Sequence, residues 1–336
     1  MFYVGIDIAK TKHDLACMDE TGETVITNFR FANSYQGFHQ LKIKLEQLSP
    51  ITQDVQIALR KYRHYNYNIV AFLREIGYNV FAYNPFIIKQ FAKSQSLRKT
   101  KTDTKYTLLI ARKLRSDVTP DYYQTDKVMD ELKELTRYQN RLIQSRSKCK
   151  NLYIRLLDII FPEINSYVSN LHSHFVYELL TKYPSAQKIA RARVSSLLKI
   201  KRLTADKAHQ IQEIAKQTIG NTSTVLSLEL QLIESIKHYD KQINQVQEEI
   251  NLLMIELNSP ITSIPGIGSR LGAIILAEMK TIHNFRNPNQ LQAFAGLDPA
   301  IYQSGQMDNT GHMVKRGSSY LRYALIQAAK LISYLL

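Results

Sequence analysis

Residues 2–31 read FYVGIDIAKTKHDLACMDETGETVITNFRF, and their pattern sets the fold class. Residues 2–9, 12–19 and 23–31 are three short runs of strand character, and Glu20-Thr21-Gly22 supplies a turn between the last two. YQGFHQLKIKLEQL (residues 35–48) follows, with Phe38, Leu41, Leu45 and Leu48 at helical spacing. DVQIAL (54–59) then reads as a buried strand, YNIVAFLREIG (67–77) as a helix and YNVFAY (78–83) as a further strand. Three strands in succession, then helix and strand in alternation, predict an α/β sheet of mixed direction.

The fourth strand runs into cations. IALRKYRHY (57–65) delivers Arg60, Lys61, Arg63 and His64 to its carboxyl end, where open α/β sheets place their chemistry. An RNase H-like fold has this strand order, as do other mixed sheets. Between Lys89 and Arg115 the chain becomes helical and carries nine Lys or Arg against one acid, Asp103. Residues 127–180 continue as helices with a cationic, tyrosine-interleaved face. That face fits either a solvated surface or a nucleic-acid track.

Leu232, Ile236, Tyr239, Ile243, Val246, Ile250, Leu253 and Leu257 alternate four- and three-residue intervals, a heptad seam that calls for a partner helix in the same chain or in a second subunit. Pro260 stops it. Gly266, Gly268 and Gly272 in ITSIPGIGSRLGAIILAEM (261–279) read as a helix-hairpin-helix-like turn. Its glycines would let backbone N–H groups, with Arg270 beside them, approach a phosphate; a tight helix–helix turn has the same composition. A polar loop with Ser304-Gly305 then leads through Gly311, Lys315, Arg316 and Gly317 to a helix capped at Ser318-Ser319. Serine beside glycine and near cations suits a nucleophile facing a phosphodiester, although ordinary turn chemistry selects the same pair.

The 336 residues carry a formal charge of +15 and a sequence pI near 9.6, which favours a polyanionic partner over a neutral metabolite. Cys17 and Cys149 form neither a disulfide framework nor a metal pattern. With no signal-peptide pattern and no apolar run of ~20 residues, the expectation is a cytoplasmic, nucleoid-associated protein without membrane partners.

In combination, YVGIDIAKTKHDLA (3–16), RKTKTD (98–103), IPGIGSRLGAIILAE (264–278) and FAGLDPAIYQSG…G…KRGSSYLRYAL (294–325) resemble the IS110 family of transposases, in that order and over nearly the whole chain. The resemblance implies α/β plus all-α architecture: a RuvC/RNase H-like domain at 1–117, a helical coiled-coil connector at 118–259, and a C-terminal transposase domain at 260–336. The end at Leu336 implies truncation of that last domain. It also implies a site-specific recombinase acting on insertion-sequence ends and target DNA, guided by a structured RNA, and homo-oligomeric through the coiled coil. Mg²⁺ would be held by an Asp-Glu-Asp-Asp tetrad, and Ser304 would be the nucleophile.

Mapped residue by residue, Asp7 and Asp103 match the first and third tetrad positions, as metal ligands and catalytic residues. Arg60 stands where the glutamate belongs and Tyr106 where the last aspartate belongs. Asp14, Glu75 and Asp117 are nearby carboxylates outside the motif positions. Lys99, Lys101, Gly266, Gly268, Arg270, Lys315 and Arg316 are the expected nucleic-acid contacts. Two readings follow: a recombinase with an impaired metal centre, or a nucleic-acid-binding relic or repressor of related elements that no longer cuts. A stand-alone junction nuclease of RuvC type would leave the Ser304 segment unexplained.

Overall fold

The computed structural model describes residues 1–60, 65–83, 85–95, 103–117, 127–304 and 307–333. Two compact units divide the chain, Met1–Thr125 and Asp126–Leu336.

The first unit is built on β1 (Phe2–Ile8), β2 (Lys12–Asp19), β3 (Thr24–Ala32), α1 (Tyr35–Glu46), β4 (Val55–Arg60), α2 (Tyr67–Glu75), β5 (Asn79–Tyr83), α3 (Pro85–Gln95) and α4 (Asp103–Ser116). Its sheet has the order β3-β2-β1-β4-β5. β2 runs antiparallel to both its neighbours, while β1, β4 and β5 are parallel, so only β2 is reversed. This is the mixed α/β sheet that residues 2–83 predict, in RNase H-like order.

The two-residue period of a strand divides the side chains between two faces. Val4, Ile6, Leu15, Ile57, Leu59 and Val80 meet Leu41 and Leu45 of α1 and Ile69 and Leu73 of α2 in one core. Ala58, Phe81 and Tyr83 meet Ile88 of α3 and Ile110 and Leu114 of α4 in the other. Asp7 and Arg60 continue the second series and share the α4 face. Gly5 permits α4 to lie there, because a Cβ at Gly5 would stand 2.1 Å from the Thr107 carbonyl oxygen and 2.7 Å from the Ala111 nitrogen.

The second unit comprises α5 (Lys127–Ile160), α6 (His174–Lys182), α7 (Ala186–Ala190), α8 (Val194–Leu197), α9 (Ala205–Lys216), α10 (Thr224–Glu229), α11 (Leu232–Leu257), α12 (Ser269–Met279), α13 (Pro288–Ala295), β6 (Pro299–Ser304), β7 (Met307–Met313) and α14 (Ser319–Ser333). The partner that the heptads call for is α5 of the same chain. Arg146 pairs with Asp240 at 2.5 Å and Gln139 with Gln247 at 2.9 Å, a register that runs antiparallel. Leu132 and Leu142 of α5 pack with Val246, Ile250 and Met254 of α11 and with Ala273 and Ala277 of α12. The buried stripe drifts off the heptad at its ends, to Ile233 and Met254, because a 3.6-residue helix turns out of step with a 3.5-residue repeat.

Residues 299–304 and 307–313 correct the expectation of a polar loop: they pair as antiparallel strands in which Ser304 pairs with Met307. Asp308, Asn309 and Gly311 have low strand propensity, and backbone pairing with β6 overrides it.

Candidate functional site

At the carboxyl end of β1, three of the positions expected to form the tetrad, Asp7, Arg60 and Tyr106, lie near one another. The Arg60 guanidinium lies 3.4 Å from Asp7 Oδ1 and 5.0 Å from the Tyr106 ring centroid. Both members of the ion pair are largely shielded, at 23% and 20% side-chain exposure, so their attraction is stronger than that of a surface pair. Asp103 opens α4 one turn before Tyr106, which places the two positions on one helix face.

The nearby carboxylates outside the motif positions are either paired with other groups or on the far side of the sheet. Asp14 is directly opposite Asp7 in the β1–β2 register, and its Oδ1 accepts from Arg30 Nε at 2.8 Å. Asp117 accepts from the Tyr83 hydroxyl at 2.7 Å and pairs with Lys113. Glu75 is exposed at the end of α2, on the opposite side of the sheet.

A divalent ion needs several oxygen ligands around one point. Among the described residues no three His, Cys, Asp or Glu side chains gather in that way. Asp7 and Asp14 each have a guanidinium as counter-charge, and a cation entering beside Asp7 would face the Arg60 charge directly. The residues described here do not fit a Mg²⁺ centre.

In the second unit, Ser304 closes β6 at the tip side of the hairpin. The segment after the hairpin is strapped to the end of α13. Val314 N–H donates to the Asp298 carbonyl at 2.9 Å, Lys315 N–H to Gly296 at 3.2 Å and Ser318 N–H to Phe294 at 2.9 Å. Gly317 is required by this approach, since a Cβ there would lie 2.0 Å from the Phe294 oxygen. Lys315 adopts φ +53, and Lys315 and Arg316 are exposed on the turn.

In the helix-hairpin-helix-like segment, Gly266 has φ +82. Gly268 is the N-cap of α12 with nothing within 4 Å of a Cβ position, and Arg270 is half-buried in its first turn. Lys99 and Lys101 lie outside the described residues, as do Lys61, Arg63 and His64.

Sequence reading missed the most buried charge among the described residues of this unit. Glu278 on α12 has a side chain 2% exposed. Its carboxylate accepts from Arg137 Nε at 2.8 Å and Nη2 at 3.2 Å, and from the Ser318 hydroxyl at 2.9 Å. Lys133 Nζ stands 3.5 Å away, and the Arg137 guanidinium stacks over Tyr320 at 4.9 Å. Ser318 in turn caps α14 by accepting from Leu321 N–H at 3.2 Å. One carboxylate thus ties α5 and α12 to the start of α14, next to the Lys315-Arg316-Gly317 turn.

Burial alone would push the Glu278 carboxyl up, but the Arg137 hydrogen bonds, the Lys133 and Arg137 charges and the Ser318 hydroxyl together hold it below the usual value. Lys133 is pushed down by its own burial more than Glu278 lifts it, so Arg137 is the principal counter-charge. The readable signal was the acid in IILAEM, one helical turn after Ile274 and Ile275 on an apolar face.

Comparison with known proteins gives matches in both units. A family model described as a DEDD transposase of IS110 type matches residues 4–162, and a second, described as transposase of the IS116/IS110/IS902 family, matches residues 258–334. An insertion element IS110 protein of Streptomyces coelicolor is 23% identical over 97% of this chain and 83% of its own. A pilin gene-inverting protein of Moraxella bovis is 22% identical over 99% and 83%. Among solved structures, RuvC of T. thermophilus in complex with a Holliday junction substrate aligns with 33% of this chain and 90% of its own, at 18% identity and a TM-score of 0.24. Among the described residues no helix is long and apolar enough to cross a membrane. With one model of the family over residues 4–162 and another over residues 258–334, the chain belongs to the IS110 family of transposases.

Proposed function

We propose that this protein binds insertion-sequence DNA and a structured RNA as an IS110-type recombinase does, and that its metal-dependent strand chemistry is impaired. The observation that carries the reading is the Arg60 guanidinium between Asp7 and Tyr106, where the family pattern puts carboxylates. A carboxylate ion-paired to arginine is a poorer metal ligand, because binding an ion requires giving up that pair. The ion pair keeps β1, β4 and α4 together without the metal, so fold and nucleic-acid binding survive the change.

Ser304 is the proposed nucleophile. Its oxygen would bond to phosphorus as the bond to one sugar oxygen breaks, with the serine proton lost and the departing oxygen protonated. Lys315 and Arg316 would position the backbone phosphate, and Gly266, Gly268 and Arg270 a second one. The pilin gene-inverting relative supports recombination as the ancestral activity. Cover of the heptad seam by α5 means that any homo-oligomer would use another surface.

The test is an excision and adduct assay with matched element ends and the RNA encoded beside the gene. Salt-sensitive binding to the ends with little Mg²⁺-stimulated cleavage is expected. Robust Mg²⁺-dependent excision by the native chain would refute the impairment. A covalent DNA adduct that disappears in Ser304→Ala would support the nucleophile and rule out a purely non-cutting repressor.

A further inference from the structure

The helical module between α5 and α11 carries a charge that the proposed sites do not use. From Lys182 to Lys207 the chain has eight Lys or Arg against one acid, Asp206. Several cations elsewhere in this unit are matched by acids, such as Lys216 with Glu213, Lys237 with Glu234 and Lys280 with Asp130. Among the described residues, Arg191, Arg193, Lys199, Lys201 and Arg202 have no carboxylate within ion-pair distance, and all five are exposed. A surface that serves only solubility intersperses both signs.

These cations sit on two short turns over a fixed base. Ile189, Leu197, Ile200, Leu203, Ala208 and Ile211 are buried together beneath α7, α8 and α9. The turn from α7 to α8 is held from below by Gln212, whose Nε2 donates to the Ala190 carbonyl at 3.3 Å and the Ala192 carbonyl at 2.6 Å. Gln212 is itself buried, so its two bonds brace the backbone on either side of Arg191. The turn from α8 to α9 passes through Arg202 at φ +68 and ends where Thr204 caps α9 by accepting from Lys207 N–H. Five cations are therefore presented from backbone that is already ordered, which lowers the entropic cost of meeting a regular array of charges.

We propose that the α7–α8 and α8–α9 turns form a separate site for the phosphodiester backbone of a double helix, binding by charge rather than by base sequence. Turn-borne Lys and Arg suit phosphates, because reading bases requires an element inserted into a groove. The inference rests on the reading that the chain binds nucleic acid, and it adds a site at a distance in sequence from Lys315 and Arg316.

The test compares the full-length chain with a variant carrying Arg191→Gln, Arg193→Gln, Lys199→Gln and Lys201→Gln, and separately with Lys315→Gln/Arg316→Gln. Binding to a random-sequence 30-bp DNA duplex and to an RNA hairpin is measured across a salt series. Four lost contacts would make the log K against log [salt] slope shallower by up to about 3.6 on DNA, at ~0.9 per phosphate, and weaken binding at least ~10-fold at 100 mM salt. Weakening on RNA alone would support the site and assign its backbone to RNA. Native binding to both probes with an unchanged slope and Kd in the four-site variant would overturn this inference and leave the parent reading standing. A native chain that bound neither probe would overturn both. An unchanged thermal melt of the variant excludes misfolding as the cause of any loss.

Discussion

Replacing Glu278 by glutamine keeps the shape of the side chain and deletes its charge. Arg137 and Lys133, whose side chains are 34% and 22% exposed, would then lose their nearest counter-charge, with Glu134 left as a weaker one for Arg137. Breaking a buried ion pair from one side costs about 3–5 kcal/mol. Because Arg137 is a third exposed, part of its charge is solvated, and glutamine can still accept from Arg137 and Ser318. About 2–3 kcal/mol is therefore the expected loss for Glu278→Gln, and ~3–5 kcal/mol for Glu278→Ala, which also strands the Ser318 hydroxyl.

For a unit of some 210 residues, each kcal/mol moves the midpoint by about 2–4 °C, so Glu278→Gln should lower the transition of the second unit by about 4–12 °C in differential scanning calorimetry. The effect has a defined pH dependence. A carboxyl whose folded pKa lies below its unfolded value of about 4.3 stabilises above that value, and the contribution is lost as pH falls through the folded pKa. The gap between native and Glu278→Gln midpoints should therefore be full at pH 7 and shrink below about pH 4.3. A glutamine variant melting within ~1 °C of the native chain at pH 7, or a gap that widens toward pH 3, would refute the argument that this carboxylate holds the network.

Two further predictions concern the first unit and the cysteines. Gly5→Ala would put a Cβ against the backbone of α4 on two sides; displacement of the helix should cost ~1–3 kcal/mol, seen as a lower denaturant midpoint for this unit, and an unchanged midpoint would mean that α4 does not lie against β1. Burial, with Asp19 adding to it, pushes the Cys17 thiol up to about 12, so Cys17 should resist a thiol reagent at pH 8 while half-buried Cys149 reacts; two fast thiols in the native chain would contradict the packing of β2.

The sheet was legible because its strands announce themselves by composition and its turns by glycine. Residues 2–31 carry both signals, and the succession of elements pointed to a mixed α/β sheet, which an RNase H-like fold shares with other mixed sheets; the order β3-β2-β1-β4-β5 came from the structure. The heptad seam was equally plain, but its partner was not: periodicity says that Ile236, Val246 and Ile250 need a facing helix and cannot say which one. The β6–β7 hairpin escaped because Asp308, Asn309 and Gly311 are poor strand formers, and its pairing lies in backbone hydrogen bonds that composition does not encode. Motif position alone set the expectation that Arg60 and Tyr106 stand at carboxylate positions. That Arg60 reaches Asp7 and stacks on Tyr106 required the alternation of strand faces and the close seating of α4 on Gly5. Glu278 was missed for a related reason: its partners are Arg137 and Lys133 on α5 and Ser318 at the cap of α14, and Arg137 lies 141 and Ser318 40 residues away in sequence.

The central claim is that an ion pair has taken the place of a metal centre at Asp7. Manganese binding measures it most directly, by electron paramagnetic resonance titration of free Mn²⁺ into the full chain and into Arg60→Glu/Tyr106→Asp. The native chain should leave Mn²⁺ free up to millimolar concentration, and the double variant should acquire a site that Asp7→Asn removes. Stoichiometric micromolar Mn²⁺ binding by the native chain, abolished by Asp7→Asn, would contradict the account.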